Sequence, residues 1–375
     1  MRSVLNTLCM AAAALLLFGL VLVYTASSAQ RGGAAPVLLK QVVAAAAGLA
    51  MGVFCAAIDY GAWRRRDILW TLSVLAIAAS LMVFFGEKVN GSRRWISLPG
   101  FTLQPSEFSR IAMLVAMAAW YGGIGLRARE FARGVVMPGL VFAAFAGPVA
   151  ASPDVGATMV MCAGAGAIML AAGVKWRWLA IGAIAAIAIV AAMLASNDNK
   201  RARVMVTVNR MRGVETAGNE TAYHVEQSLE AFARGGLVGR GIGLSTQKYY
   251  RLPEANSDFI YAIAAEEFGI AATASMVIAY MTLLVCGTCI AFRARDRVGS
   301  VLARGLTVTL AFEAAFNVGM VTGILPTKGI ALPFASAGGS SLMASMVIIG
   351  LLVSIGAASI ENPGALKLRD AQIEY

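Results

Sequence analysis

The stretch LPEANSDFIYAIAAEEFG, residues 252–269, gathers four carboxylates, Glu254, Asp258, Glu266 and Glu267, in a chain with 20 acidic residues among 375. A carboxylate at mid-bilayer costs about 2.5–3.5 kcal/mol on insertion scales, so an acid bordering a hydrophobic run is by default a functional candidate. Glu266 and Glu267 also have a plainer reading, as acids marking the water boundary of the next span, where they suit a helix N-terminus. Asp258 fits that reading poorly. It follows Pro253 and precedes Phe259, Ile260 and Tyr261, so its carboxylate would be partly dehydrated, and dehydration favours the protonated form. That is the condition for a general base working near neutral pH.

Two further constellations could serve the same chemistry. In GSRRWISLPGFTLQPSEFSR, residues 91–110, Arg93, Arg94 and Arg110 offer guanidinium forks for phosphate oxygens, while Gln104 and Glu107 open the following span. The alternative is an interfacial segment with no specific ligand. In GILPTKGIALPFASAGGSS, residues 323–341, Pro326, Pro333 and the glycines cannot form an ordinary helix. Irregular backbone at membrane depth is tolerated only when it is buried in protein or lines a wet cavity. Lys328 adds a cation there, and Ser336, Ser340 and Ser341 add hydroxyls without forming a triad. The lone His224 supports neither a metal cluster nor a Ser-His pair. Cys286 and Cys289 form a CxxC with no further ligands nearby, which reads as small residues packing in a helix. The glycines of GGLVGRGIG, residues 235–243, lack the signatures of a P-loop or dinucleotide turn; they signal a turn or a backbone anion nest.

The elements that carry these residues follow from composition. Apolar residues make up 59% of the chain and charged residues 14%, against about 25% charged in soluble chains, and the mean hydropathy is +0.74. Continuous apolar runs near the 20 residues needed to cross a bilayer recur throughout. The fold class is therefore an all-α polytopic membrane protein, a single domain over 1–375. Ten spans are expected, at about 4–24, 36–58, 67–85, 107–126, 135–152, 156–174, 177–196, 269–292, 300–323 and 340–360, with no inverted repeat of the transporter kind. Fourteen of the 31 basic residues, from Arg2 through Arg64, Arg65 and Arg66 to Lys367 and Arg369, fall on one side if both termini are cytoplasmic, as the positive-inside rule requires. Residues 197–258 are then a long extracytoplasmic loop. Its basic residues Lys200, Arg201, Arg203, Arg210, Arg212, Arg234, Arg240, Lys248 and Arg251 need an explanation other than orientation, such as an anionic ligand.

Taken in order, NGSRRWISLPGFTLQPSEFSR, SPDVGATMV, QSLEAFARGGLVGRGIGLSTQKYYRLPEANSDFIYAIAAEEFGI and GILPTKGIALPFASAGGSS resemble the SEDS family (shape, elongation, division, sporulation), which includes FtsW and RodA. LPTKG and the RLPEA…DFIYAIAAEE stretch are more similar to the division branch, FtsW, than to the elongation branch. The resemblance implies a peptidoglycan glycosyltransferase in the bacterial cytoplasmic membrane, active on the extracytoplasmic side. Its substrate would be lipid II, a disaccharide-pentapeptide on undecaprenyl diphosphate. The family's essential aspartate falls on Asp258, its RRW arginines on Arg93 and Arg94, and its QPSE residues on Gln104 and Glu107. The implied partners are a class B penicillin-binding transpeptidase, other divisome proteins and membrane lipids, with no nucleic acid. A divalent cation, Mg or Mn, is implied as cofactor without assigned ligands. Small residues in the eighth and ninth spans, GIAATAS and ARGLTVTLAFEAAFN, suit a contact with the transpeptidase helix.

Some positions depart from the family pattern. Arg110 stands where Lys is usual, Asn256 and Ser257 replace His-Thr before the aspartate, Ala337 replaces Tyr, Glu313 replaces Gln, and SPDVGA replaces QPDLGT while keeping Asp154 and Gly156. Two other functions fit the same motifs. A lipid II flippase would distribute polar groups through the helices from both sides, whereas here they concentrate on one. A non-catalytic scaffold for a transpeptidase would use the same interfaces.

Overall fold

A computed structural model describes residues 1–28, 33–86, 93–98, 101–152, 154–195, 204–209, 212, 220–249 and 256–361. Lys200, Arg201, Arg203, Arg210, Arg251, Pro253, Glu254, Lys367 and Arg369, named above, lie outside the described residues.

Apolar runs without internal breakers fold as helices because in lipid every backbone group must be paired within its own segment. These are α1 (Arg2–Ser27), α2 (Ala34–Ala57), α3 (Arg66–Met82), α4 (Pro105–Ile124), α5 (Met137–Ala151), α6 (Val155–Ala171), α7 (Trp176–Ala195), α8 (Glu220–Gly235), α9 (Ile260–Phe292), α10 (Arg297–Val321) and α11 (Gly339–Glu361). Eight helices among the described residues are long and apolar enough to cross a membrane, and two shorter apolar helices, Val155–Ala171 and Trp176–Ile189, fall at the sixth and seventh expected spans. Polarity is distributed inside-out relative to a soluble protein. Ile181, Ile184 and Ile187 on α7 are exposed, while Glu313, Asn317 and Arg110 are buried.

Local chemistry sets several helix starts. Pro105 stands in the first turn of α4, where its missing N–H costs nothing. Asp154 caps α6 by accepting from the Ala157 N–H at 3.2 Å, and Asp296 caps α10 by accepting from the Gly299 N–H at 2.8 Å, each satisfying an orphan donor. The stretch before α4 forms a small antiparallel hairpin, β1 (Ile96–Leu98) with β2 (Phe101–Leu103), in the register Ile96↔Leu103, Ser97↔Thr102 and Leu98↔Phe101.

The core is built from α10, which packs against α9, α6 and α4, and from α11, which packs closely on α2; α1 packs against α9. The non-helical segment between α10 and α11 is buried in protein, as its composition demanded. The Tyr280 hydroxyl of α9 donates to the Pro333 carbonyl at 2.6 Å, and the Gln41 amide of α2 donates to the Ser336 carbonyl at 2.9 Å. Phe334, 2% exposed, is held at φ 66°, a strained conformation that persists only where surrounding contacts impose it.

One expectation is corrected at α9. The eighth expected span does start at the break at Gly269, whose φ of 78° and ψ of −177° are non-helical, but a further half-helix from Ile260 precedes it. Glu266 and Glu267 therefore lie inside the protein at the end of the first half-helix, 0% and 1% exposed, and do not mark a water boundary. A break in a buried helix orphans N–H and C=O groups, and the glycine-rich segment after α8 supplies their partners. Arg240 N–H donates to the Glu266 carbonyl at 2.9 Å and Gly241 N–H to the Glu267 carbonyl at 3.0 Å, while Ile270 N–H donates to the Gly236 carbonyl at 2.9 Å. Both chains need glycine for this approach. A side chain at Gly239 would meet the Glu267 carbonyl oxygen at 2.3 Å, and one at Gly269 would meet the Leu237 carbonyl oxygen at 2.4 Å. These glycines thus fill a gap in a helix, and the Arg240 and Gly241 N–H groups are spent on carbonyls there.

Candidate active site

Asp258 lies in a turn over 256–259 that leads into α9. Three successive carbonyls of that turn are fixed from outside it. Ala337 N–H donates to the Asn256 carbonyl at 2.9 Å, the Ser336 hydroxyl to the Ser257 carbonyl at 2.6 Å, and the Asn317 amide to the Asp258 carbonyl at 3.0 Å. Asn317 uses its second amide proton on the Ile330 carbonyl at 2.8 Å, so one α10 side chain ties the Asp258 turn to the segment between α10 and α11. The Asp258 side chain is half-buried. Its carboxylate lies against Gly329, where an added Cβ would sit 3.0 Å from Oδ2.

Gly329 joins this turn to a second group of polar side chains. A Cβ on Gly156 would lie 3.4 Å from the Gly329 carbonyl oxygen and 3.7 Å from Asp154 Oδ1. Asp154 is buried and accepts from the Gln104 amide at 3.1 Å, and its Oδ1 lies 3.8 Å from the Arg94 guanidinium. Ser340 accepts from the Gln104 N–H at 3.0 Å and donates to the Thr102 carbonyl at 3.2 Å, fixing the hairpin and the start of α4 on α11. Arg94, Gln104, Asp154, Gly329 and Asp258 therefore line one seam, with Lys328, buried, beside Gly329 in the chain.

The remaining expected residues have other surroundings. Arg93 donates to the Phe84 carbonyl at the end of α3. Arg110 is 2% exposed; its guanidinium engages Glu107 at 2.8 Å and also pairs with Glu313, joining α4 to α10 one turn from Asn317. Ser336 spends its proton on Ser257 and accepts from the Leu332 N–H at 2.8 Å, so both are committed to backbone. Three of the loop cations offered to an anionic ligand face internal carboxylates. Lys248 pairs with Glu267 at 3.0 Å, Arg240 lies 3.7 Å from Glu266, and Arg234 pairs with Glu230.

Sequence reading did not assign Asp154, Glu313, Asn317 or Gly329 to the site. Glu313 carried a signal, being an acid within an apolar run, and Asn317 lies one turn further on the same face. Asp154 could be read as a helix cap. Among the described residues no three His, Cys, Asp or Glu side chains converge on a metal-sized site. The described residues offer no carboxylate cage there for the expected divalent cation. An Mg ion held by one carboxylate with diphosphate oxygens and water is the arrangement that such a donor set suits.

A family model described as a cell cycle protein, that of FtsW, RodA and SpoVE, matches residues 6–360. The chain belongs to the FtsW/RodA/SpoVE family. It is 35% identical over 305 residues, 80% of its length and 78% of the relative's, to the "Probable peptidoglycan glycosyltransferase FtsW" of Trichlorobacter lovleyi. It is 32% identical over 311 residues, 82% and 81% of the two chains, to the protein of the same name from Geobacter metallireducens. Among solved structures, the rod shape determining protein RodA of Thermus thermophilus has the same fold at a TM-score of 0.68 and 22% identity, covering 93% of this chain and 95% of that one. A chain of the structure "Structural coordination of polymerization and crosslinking by a peptidoglycan synthase complex" aligns at a TM-score of 0.71 and 24% identity, covering 94% of this chain and 97% of that one. The polytopic helical architecture is thus a family property of this chain.

Proposed function

We propose that this chain is a peptidoglycan glycosyltransferase that polymerises lipid II into β-1,4 glycan strands during cell division, with Asp258 as general base. The FtsW names of its relatives favour division over elongation. The observation that carries the site assignment is the clamped turn at Asp258: a half-buried carboxylate whose backbone is held by Asn317 and Ser336, beside a seam that includes Arg94 and Lys328. Asp258 takes the proton of the acceptor sugar's 4-hydroxyl as that oxygen attacks C1 of the donor. The bond to undecaprenyl diphosphate breaks on the opposite face, so an α-linked donor gives a β-linked product. Negative charge grows on the departing diphosphate. Arg94, which lies 3.8 Å from Asp154 in the same seam, supplies positive charge near the departing group, which preorganised cations stabilise most in the transition state. Arg93 and Lys328 add positive potential. A divalent cation, held as described above, would supply further charge to the diphosphate, and no step of the proposal depends on it.

The basic clusters at Arg64–Arg66 and Arg293–Arg297 support a topology with both termini inside, in which this seam faces the outer surface. A class B transpeptidase is the expected partner. Of the two spans offered above, α10 is largely buried, with Ala303, Leu306 and Ala314 at most 4% exposed, whereas Ala271 and Ala274 of α9 are exposed; the α9 face is the proposed contact.

The test is reconstitution of the purified protein with lipid II, with and without a transpeptidase, and gel separation of the products. A glycan ladder from the native chain and none from Asp258→Asn is expected. A native ladder from Asp258→Asn would remove Asp258 as the base. Lipid II movement across vesicles without any polymer would replace the polymerase by a flippase.

A further inference from the structure

We propose that Gly329 and Asn317 are positioning residues that set the orientation of the Asp258 carboxylate, and that position 329 must be glycine because of that carboxylate rather than because of its own backbone. The inference rests on the assignment of Asp258 as base.

Most of the closely approached glycines in this chain face backbone atoms or apolar side chains, whereas Gly329 faces a carboxyl group. The three nearest heavy atoms to a Cβ built there are Asp258 Oδ2 at 3.0 Å, then Asp258 Cγ and Oδ1, each at 3.8 Å. Gly329 does not have the positive φ that disfavours side chains, unlike Gly239, Gly269 and Gly323. Alanine is therefore compatible with the backbone at 329, and the methyl group it adds presses on one partner only. The carboxylate must rotate or withdraw by a few tenths of an ångström.

Asn317 acts on the backbone of the same residue, Asp258. It is fully buried on α10, and its two amide protons hold the Asp258 and Ile330 carbonyls. One side chain thus sets the separation between the residue bearing the base and the residue following Gly329. Gly329 leaves room beside the carboxylate, and the two-pronged amide of Asn317 fixes the backbone that carries it. For a base that must meet a hydroxyl within hydrogen-bond reach, a small misplacement is sufficient to slow the reaction while substrate binding through the basic residues persists.

The experiment compares Gly329→Ala with Gly338→Ala in full-length protein given lipid II. Gly338 lies in the same segment, and a Cβ there meets only Ser341 Cβ at 3.5 Å and Ala331 Cβ at 3.9 Å. Gly329→Ala is expected to lower kcat by about 10- to 100-fold, the scale of a misplaced catalytic group, with KM and thermal midpoint unchanged; Gly338→Ala is expected to behave as the native chain. If Gly329→Ala does not fold, Asn317→Ala provides the same kcat-against-KM readout. A native kcat in whichever variant folds, or a loss shared equally by Gly338→Ala, overturns the inference. Asp258→Asn is run alongside. If it polymerises, the assignment of the base has failed; if it is inactive while Gly329→Ala is native, only the positioning role has failed.

Discussion

Asp258 and the pair Glu266 and Glu267 stand eight and nine residues apart in one acidic stretch, and they meet opposite fates. Glu266 is enclosed by donors. It accepts from the Ser245 hydroxyl, from the Thr246 N–H at 3.1 Å and from the Thr246 hydroxyl at 2.9 Å. Glu267 is paired with Lys248, whose ammonium also donates to the Thr25 carbonyl at 3.2 Å and the Gly243 carbonyl at 2.8 Å. Asp258, by contrast, is a partly exposed residue whose backbone carbonyl is held by Asn317. The comparison teaches that acids enclosed by donors join segments of the fold, while an acid with a clamped backbone and partial exposure is the better candidate for chemistry.

Exchanging the acids one at a time would break or sharpen this contrast. Asp258→Asn should lower polymerisation by at least about 100-fold, within the range for loss of a general base, without moving the thermal midpoint in detergent. Glu267→Ala should do the reverse. Leaving Lys248 charged and unpaired in a dry site costs about 3–5 kcal/mol, read as a large drop in midpoint, and the double variant Lys248→Met, Glu267→Leu should recover most of it. If Glu267→Ala melts normally and is inactive, the two acid sites do not differ as described. Gly269→Ala should cost about 1–3 kcal/mol, the range for enforced backbone strain, because the break in α9 admits no side chain. Arg94→Ala should have the smallest effect on stability, under about 1 kcal/mol for a partly exposed ion pair. It should act instead on lipid II, raising KM in the polymerisation assay; an unchanged KM would remove Arg94 from the diphosphate site.

The hairpin at 96–103 shows how a local signal can pass unnoticed. Pro99-Gly100 is a turn dipeptide between short β-favouring runs, yet between two hydrophobic spans the segment reads as phosphate-facing arginines or, alternatively, as an interfacial stretch. The ion pairs of Lys248, Arg240 and Arg234 were hidden for a different reason. Charge counts along a chain record how many cations a loop holds; Arg234 finds Glu230 one turn away within α8, while the partners of Lys248 and Arg240 are fixed only when the segment after α8 docks on α9. Arg110 is the same case: its guanidinium links Glu107, three residues away, with Glu313 on another helix.

Apolar periodicity and length determined by themselves that the chain is a helical membrane protein, because a bilayer leaves a continuous hydrophobic run no other way to pair its backbone. The ordered polar motifs pointed to the family to which the chain belongs and singled out Asp258 as the candidate base. Only the tertiary structure decided that α9 is broken at Gly269 and repaired by residues 236–241, that Asn317 reaches from α10 to the Asp258 carbonyl, and that Gly329 lies beneath the carboxylate. Each of these is a contact between segments tens of residues apart. Such contacts depend on how helices cross and on the absence of a single methyl group, and neither leaves a periodicity that a linear sequence can display.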